Sequence, residues 1–264
     1  MKALFLVLGI ISSQAAMADI CGKVDDRVPS SDSRVARLVQ SGQTKGCTAT
    51  LVSNNCVITM GACAESKDFA EFNVPASIAG IPQSSKAEDT YRLDTSFLKF
   101  ENDGIGSQWA VIKLSPNAIT GKSAGEVQGF FKIAKKSRNN DSIKVIQYSY
   151  ALPDAPYVKY DGVSVNPHAD SIHFAQQVSF GKLVKAGIFL IPQIIEHNAD
   201  TSYGAGAAPV IDVNTDELIG ITTHGGCGAR YMNPIGARFT NSGTSAWGSR
   251  KFRKAILSCI QSDR

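Results

Sequence analysis

Residues 47–63 read CTATLVSNNCVITMGAC, with Cys47 and Cys63 sixteen residues apart. Between the cysteines lie two short runs, 48–52 and 57–59, rich in β-branched and apolar side chains and parted by Asn54-Asn55. β-Branched residues pack well on a pleated surface and asparagines favour turns, so the stretch predicts strand, turn, strand. It closes on Gly61-Ala62-Cys63, where the residue before the cysteine carries no functional group.

The same texture recurs along the chain. QWAVIKL (108–114), SIKVIQYSY (142–150), AGIFLIPQII (186–195), APVIDV (208–213), LIGITTH (218–224) and IGARFT (235–240) read as further short strands. Turn-forming groups such as SPN (115–117) and NTDE (214–217) separate them. A helical period occurs at the end, in SRKFRKAILSCI (249–260). There Phe252, Ala255, Ile256, Cys259 and Ile260 fall on one face, Arg250, Lys251, Arg253 and Lys254 fall elsewhere, and Ser249 is placed to cap the helix. Many short strands and one terminal helix predict an antiparallel all-β protein, barrel or sandwich.

Composition sets the bounds. With 264 residues, 43% hydrophobic and 19% charged, the chain holds one large all-β domain or two small ones. A net charge of +4, spread along the chain, lacks the dense basic stripe of a nucleic-acid binder. Residues 1–18, MKALFLVLGIISSQAAMA, have a Lys2 n-region, an apolar run and a small-residue cleavage site before Asp19. This is the layout of a secretory signal peptide, and it predicts a mature chain of 19–264 that is secreted or periplasmic. Its apolar run is too short to span a bilayer and no later segment is long enough, so no membrane association is expected.

Six cysteines, an even number in an exported chain, favour disulfides over metal thiolates. No Cys-x-x-Cys spacing is present, and the four histidines are dispersed. HADSIH (168–173) offers His168, Asp170 and His173, but reads as a polar loop leading into a strand. Neither a metal nor a cofactor is expected.

Three elements in order now carry a resemblance. Residues 47–63 resemble the loop of trypsin-like serine proteases in which a disulfide is closed just after the catalytic base. GSQWAVIKL (106–114) resembles the family's strand opened by an aspartate. ADTSYGAGAAPVIDVNTDELIGITTHGGC (199–227) resembles its Gly-Asn-Ser-Gly-x-Pro nucleophile turn and the strand pair that follows. Early VDDRVP (24–29) and the lead-in ADTSYG are similar to the glutamyl-endopeptidase-like branch. The resemblance implies a chymotrypsin-like double antiparallel β-barrel with a C-terminal helix. The barrels would occupy about 30–130 and about 140–245, and the helix about 249–261. It implies a Cys47–Cys63 disulfide; Cys21, Cys56, Cys227 and Cys259 allow three pairings. Family members often pair the Gly-Gly-Cys segment with a cysteine that is Ser202 here, so Cys227 must find another partner.

The departures fall where the resemblance places chemistry. The base position is Ala62, the orienting acid position Gln108 and the nucleophile position Gly206, flanked by Ala205 and Ala207. Without an imidazole no proton is taken from a nucleophile; without the carboxylate no imidazolium is oriented; without a hydroxyl no acyl-enzyme forms. Loss of nucleophile or base alone costs roughly 10⁶ in turnover in a protease where this has been dissected. Gly204 and Gly206 would keep backbone donors of a vestigial oxyanion hole, while Asp200, Thr223, His224 and Gly225 would line the substrate wall. The chain is thus expected to be a secreted protease homologue without catalysis, monomeric, holding a peptide or protein ligand in the old cleft. Two origins fit equally: natural loss, or a protease disarmed by deliberate substitution. An active secreted serine endopeptidase using a rearranged site, with His224 and a hydroxyl from Thr201, Ser202 or Tyr203, is the alternative.

Overall fold

The computed structural model describes residues 19–151, 164–187, 191–227 and 240–263. The expected signal peptide therefore lies outside the described residues, as do 188–190 and 235–239 from two of the expected strands. A short strand, β1 (Val28–Pro29), leads into the first barrel. Six strands build it: β2 (Val35–Val39), β3 (Cys47–Leu51), β4 (Cys56–Thr59), β5 (Phe69–Glu71), β6 (Thr90–Asn102) and β7 (Gln108–Leu114). They close in the order β2-β3-β4-β7-β6-β5, all antiparallel. Two short helices belong to this half, α1 (Gly61–Ser66) and α2 (Ala124–Gln128).

The second half contributes β8 (Ser142–Tyr148), α3 (Ala169–Ile172), β9 (Gln176–Lys185), β10 (Ile194–His197), β11 (Pro209–Asp212), β12 (Leu218–His224) and β13 (Asn241–Ser245). Their sheet runs β1-β9-β10-β13-β12-β11-β8, and the pairing of β8 with β9 closes six of them into a second barrel. The chain thus has the chymotrypsin-like pair of barrels. The polar loop expected at HADSIH is in part the single helical turn α3, followed by His173, which is buried and whose Nδ1 accepts from the Ala151 N–H at 3.2 Å.

The terminal helix α4 (Arg250–Gln261) docks on the first barrel. Ser249 caps it, its side chain accepting from the Phe252 N–H. The apolar face expected there is buried at Phe252, Ala255, Ile256 and Cys259, and Phe252 stacks on Trp109 of β7 with ring centroids 5.2 Å apart. A Cys56–Cys259 disulfide fastens α4 to β4. Cys47–Cys63 closes the 47–63 loop, and Cys21–Cys227 ties the N-terminal segment to the end of the β12 strand pair. Among the described residues no cysteine is free and no helix is long and apolar enough to cross a membrane.

Two buried ion pairs join parts that the strands alone leave separate. Arg37 of β2 meets Glu71 of β5 at 2.5 Å and also donates to the carbonyl of Phe174, in the other half, at 2.8 Å. Arg27, fully buried, meets Asp25 at 2.6 Å and donates to Ser149 Oγ, the Tyr150 carbonyl and Ser202 Oγ. A buried charge is tolerated when it is paired and its other protons are spent, and both guanidinium groups meet that condition.

Candidate functional site

The site lies where loops of the two barrels meet. Strand β4 ends at Thr59; Met60 then caps α1, which carries Ala62 as its second residue. The cap is not made by a side chain, and the side-chain amide of Asn102 packs against Gly61, 2.3 Å from where a Cβ would stand. Ala62 faces solvent. Gln108 opens β7; its carbonyl accepts from Thr244 Oγ1 at 3.1 Å, and its Oε1 is buried with no hydrogen-bond partner.

The turn 202–208 is held by its own backbone. Ala205 N–H donates to the Ser202 carbonyl, Ala208 N–H to Ala205, and Ala207 N–H to Thr222 of β12, each at 2.8–2.9 Å. Gly204 sits at φ +98° and Ala207 at φ +68°. From the first barrel, the Thr48 N–H donates to the Gly206 carbonyl at 3.2 Å, so β3 and the turn are locked together. The N–H groups of Gly204 and Gly206 take no part in these bonds, and both residues are half-exposed. Two unspent backbone donors at one turn can receive a carbonyl or carboxylate oxygen.

Over Gly206 stands Met60. A Cβ built at residue 206 would lie 2.9 Å from the Met60 sulfur and 3.2 Å from its methyl. The end of the Met60 side chain, from the 47–63 loop, thus lies against the space that a side chain at 206 would enter, and this residue after the strand, unremarked in sequence, borders the turn. Only knowledge of which loops converge could have marked it.

The expected wall residues separate. His224 is half-buried, its Nδ1 is 2.8 Å from Thr223 Oγ1, and burial lowers its pKa, favouring the neutral ring. Gly225 is half-exposed, while the Thr223 side chain is buried. Behind this wall His197 Nε2 lies 2.8 Å from Thr222 Oγ1, and complete burial pulls its pKa down to about 4. Asp200 is only 3% exposed, and its two oxygens accept from the N–H groups of Cys21 at 2.7 Å and Asp26 at 3.0 Å. Burial pushes its carboxyl up to about 7, with the charges of Asp26 and Asp25 acting in the same sense and the two N–H donors against it. Asp200 thus grips the N-terminal segment rather than presenting a free carboxylate. Asp19 joins the same arrangement, its carbonyl accepting from Thr201 N–H and Asn241 Nδ2.

Two of the three hydroxyls weighed as substitutes, those of Thr201 and Ser202, are likewise occupied. Ser202 is buried, donates to the Tyr150 carbonyl and accepts from Arg27; Thr201 is buried against the Asp19 carbonyl. Among the described residues no group of three metal-ligating side chains is found.

No family model matches the chain, and no curated protein matches it. Solved structures do. A Glu endopeptidase in complex with MPD is 15% identical with a TM-score of 0.58, covering 94% of this chain and 98% of its own. A thermostable serine protease, AL20, from an extremophilic microorganism is 10% identical with a TM-score of 0.58, covering 88% and 98%. The protease Anisep from Arthrobacter nicotinovorans is 12% identical with a TM-score of 0.54, covering 88% and 99%. Likeness at this identity establishes the chymotrypsin-like fold over nearly the whole chain.

Proposed function

We propose that this chain is an exported, non-catalytic peptide-binding protein built on the chymotrypsin-like frame, its cleft lying between the two barrels at the 202–208 turn. Three disulfides fit an oxidising compartment. One observation carries the reading: the 202–208 turn keeps its backbone bonds while residue 206 is a glycine with the end of the Met60 side chain against it. What persists is the capacity to bind, through the unspent N–H groups of Gly204 and Gly206.

The test uses the mature protein. It should cleave neither casein nor peptide esters, and a fluorophosphonate probe should label none of its residues; labelling anywhere would sink the reading. A second arm asks whether the frame still positions a triad. Ala62→His, Gln108→Asp, Ala205→Asn, Gly206→Ser and Ala207→Gly together should recover less hydrolysis than the same five changes with Met60→Ala, because the end of the Met60 side chain must move aside for residue 206. Equal hydrolysis with and without Met60→Ala would show that Met60 fills nothing that matters.

A further inference from the structure

Beside the 202–208 turn lies an aromatic stack. Tyr150 and Tyr203 are bound back to back, Tyr150 N–H donating to the Tyr203 carbonyl at 2.9 Å, with ring centroids 5.4 Å apart. Beneath them, Phe174 meets Tyr150 edge-to-face at 4.7 Å and His173 meets it at 5.2 Å. Phe174 and His173 are buried, whereas both tyrosines are half-exposed, so the stack turns its tyrosines outward.

The stack is pinned from below. Phe174 has φ +52°, a conformation that a bulky side chain adopts only when its surroundings impose it. Its N–H donates to Ser149 and its carbonyl takes a bond from the buried Arg37 guanidinium. The Tyr150 carbonyl in turn receives Arg27 and Ser202. Two buried cations thus fix the backbone of the platform. It abuts the turn directly, since a Cβ at Gly204 would lie 3.1 Å from a Phe174 ring carbon.

A positive charge completes the set. Lys45 is exposed, with its Nζ 5.7 Å from the centroid of the Tyr150 ring, and it has no carboxylate partner among the described residues. It precedes β3, the strand that binds the Gly206 carbonyl through Thr48. The turn thus carries two free N–H donors, the tyrosine pair lies at its edge, and an ammonium without a carboxylate partner stands by the Tyr150 ring.

Resting on the peptide-binding reading, we infer that the cleft selects the carboxyl terminus of a peptide ending in an aromatic residue. The penultimate carbonyl is received by the Gly204 and Gly206 N–H groups, the terminal ring packs on Tyr150 and Tyr203, and the terminal carboxylate pairs with Lys45. Aromatic pairs favour offset or edge-to-face contact and add about 0.5–1.5 kcal/mol beyond area burial, about a two- to tenfold gain in affinity.

The test is calorimetric titration of the unaltered mature protein with acetyl-Ala-Ala-Ala-Phe as the free acid. Two controls are the same peptide as its C-terminal amide and acetyl-Ala-Ala-Ala-Ala as the free acid. The Phe acid should bind at least about fivefold more tightly than either control. Lys45→Gln, a change at an exposed residue, should abolish the acid-over-amide preference and keep the Phe-over-Ala preference. Equal affinity for the Phe and Ala acids, or an acid preference that survives Lys45→Gln, overturns the inference. If none of these peptides binds while reduced, carboxymethylated casein does, the terminus-selective site is wrong and the peptide-binding reading stands. If casein also fails to bind, both fall.

Discussion

Ala207 stands at φ +68°, a left-handed conformation that costs an L-residue roughly 1–2 kcal/mol. It is fully buried, however, so its methyl contributes about 0.8 kcal/mol by leaving water. Replacing it by glycine would also give freedom back to the unfolded chain, worth about 0.4–1 kcal/mol. Strain relieved and stabilisation lost nearly cancel. Ala207→Gly is therefore expected to leave stability within about 0.5 kcal/mol of the parent. Ala208, also fully buried but without positive φ, has no strain to release, and Ala208→Gly should cost about 1.5 kcal/mol by the methyl and entropy terms alone. Urea unfolding of both variants checks the contrast; equal losses would mean that the turn relaxes around residue 207.

Helix α4 shows what an amphipathic element contributes when its docking is aromatic. Phe252 is fully buried and stacks on Trp109 at an interplanar angle of 20°. Phe252→Ala removes both the burial and the stack, and should cost about 3–5 kcal/mol in denaturant unfolding with the Cys56–Cys259 bridge intact. This helix was legible because its apolar period is strict. Strands β4, β7, β8 and β12 were legible for a related reason, as dense apolar runs between turn signals. β6 was not: its Thr90–Asn102 sequence is largely exposed and its register shifts between Asp94 and Leu98, which erases alternation. β2 was hidden by Arg37, a buried charge in the middle of an apolar run, whose partner Glu71 lies on another strand. The site followed the same division. Gly204 and Gly206 sit in a local motif, whereas Met60, Phe174 and the grip of Cys21 and Asp26 on Asp200 arise from contacts between distant segments.

At the scale of the molecule, two buried titratable groups of the second half oppose each other. The Asp200 carboxyl is held up to about 7 against an ordinary 3.8, so between these values the folded chain keeps a proton that the unfolded chain has lost. Stability from this group therefore falls as pH rises from about 4 to 7. The His197 ring is held down to about 4 against 6.5, so between these values the unfolded chain binds a proton that the folded chain refuses. Stability from this group falls as pH drops through the same window. The two slopes therefore oppose each other, and the lowered pKa of His224 acts in the same sense as that of His197. His197→Gln removes one slope and should tilt the urea midpoint between about pH 4.5 and 6.5, relative to the parent, toward lower stability with rising pH; Asp200→Asn removes the other and should tilt it toward lower stability with falling pH. The slope is the readout, so a uniform loss of stability in either variant does not obscure it. Parallel curves for all three proteins would mean that neither group is held in its buried, neutral form, and that the grip of Asp200 on Cys21 and Asp26 is open to water.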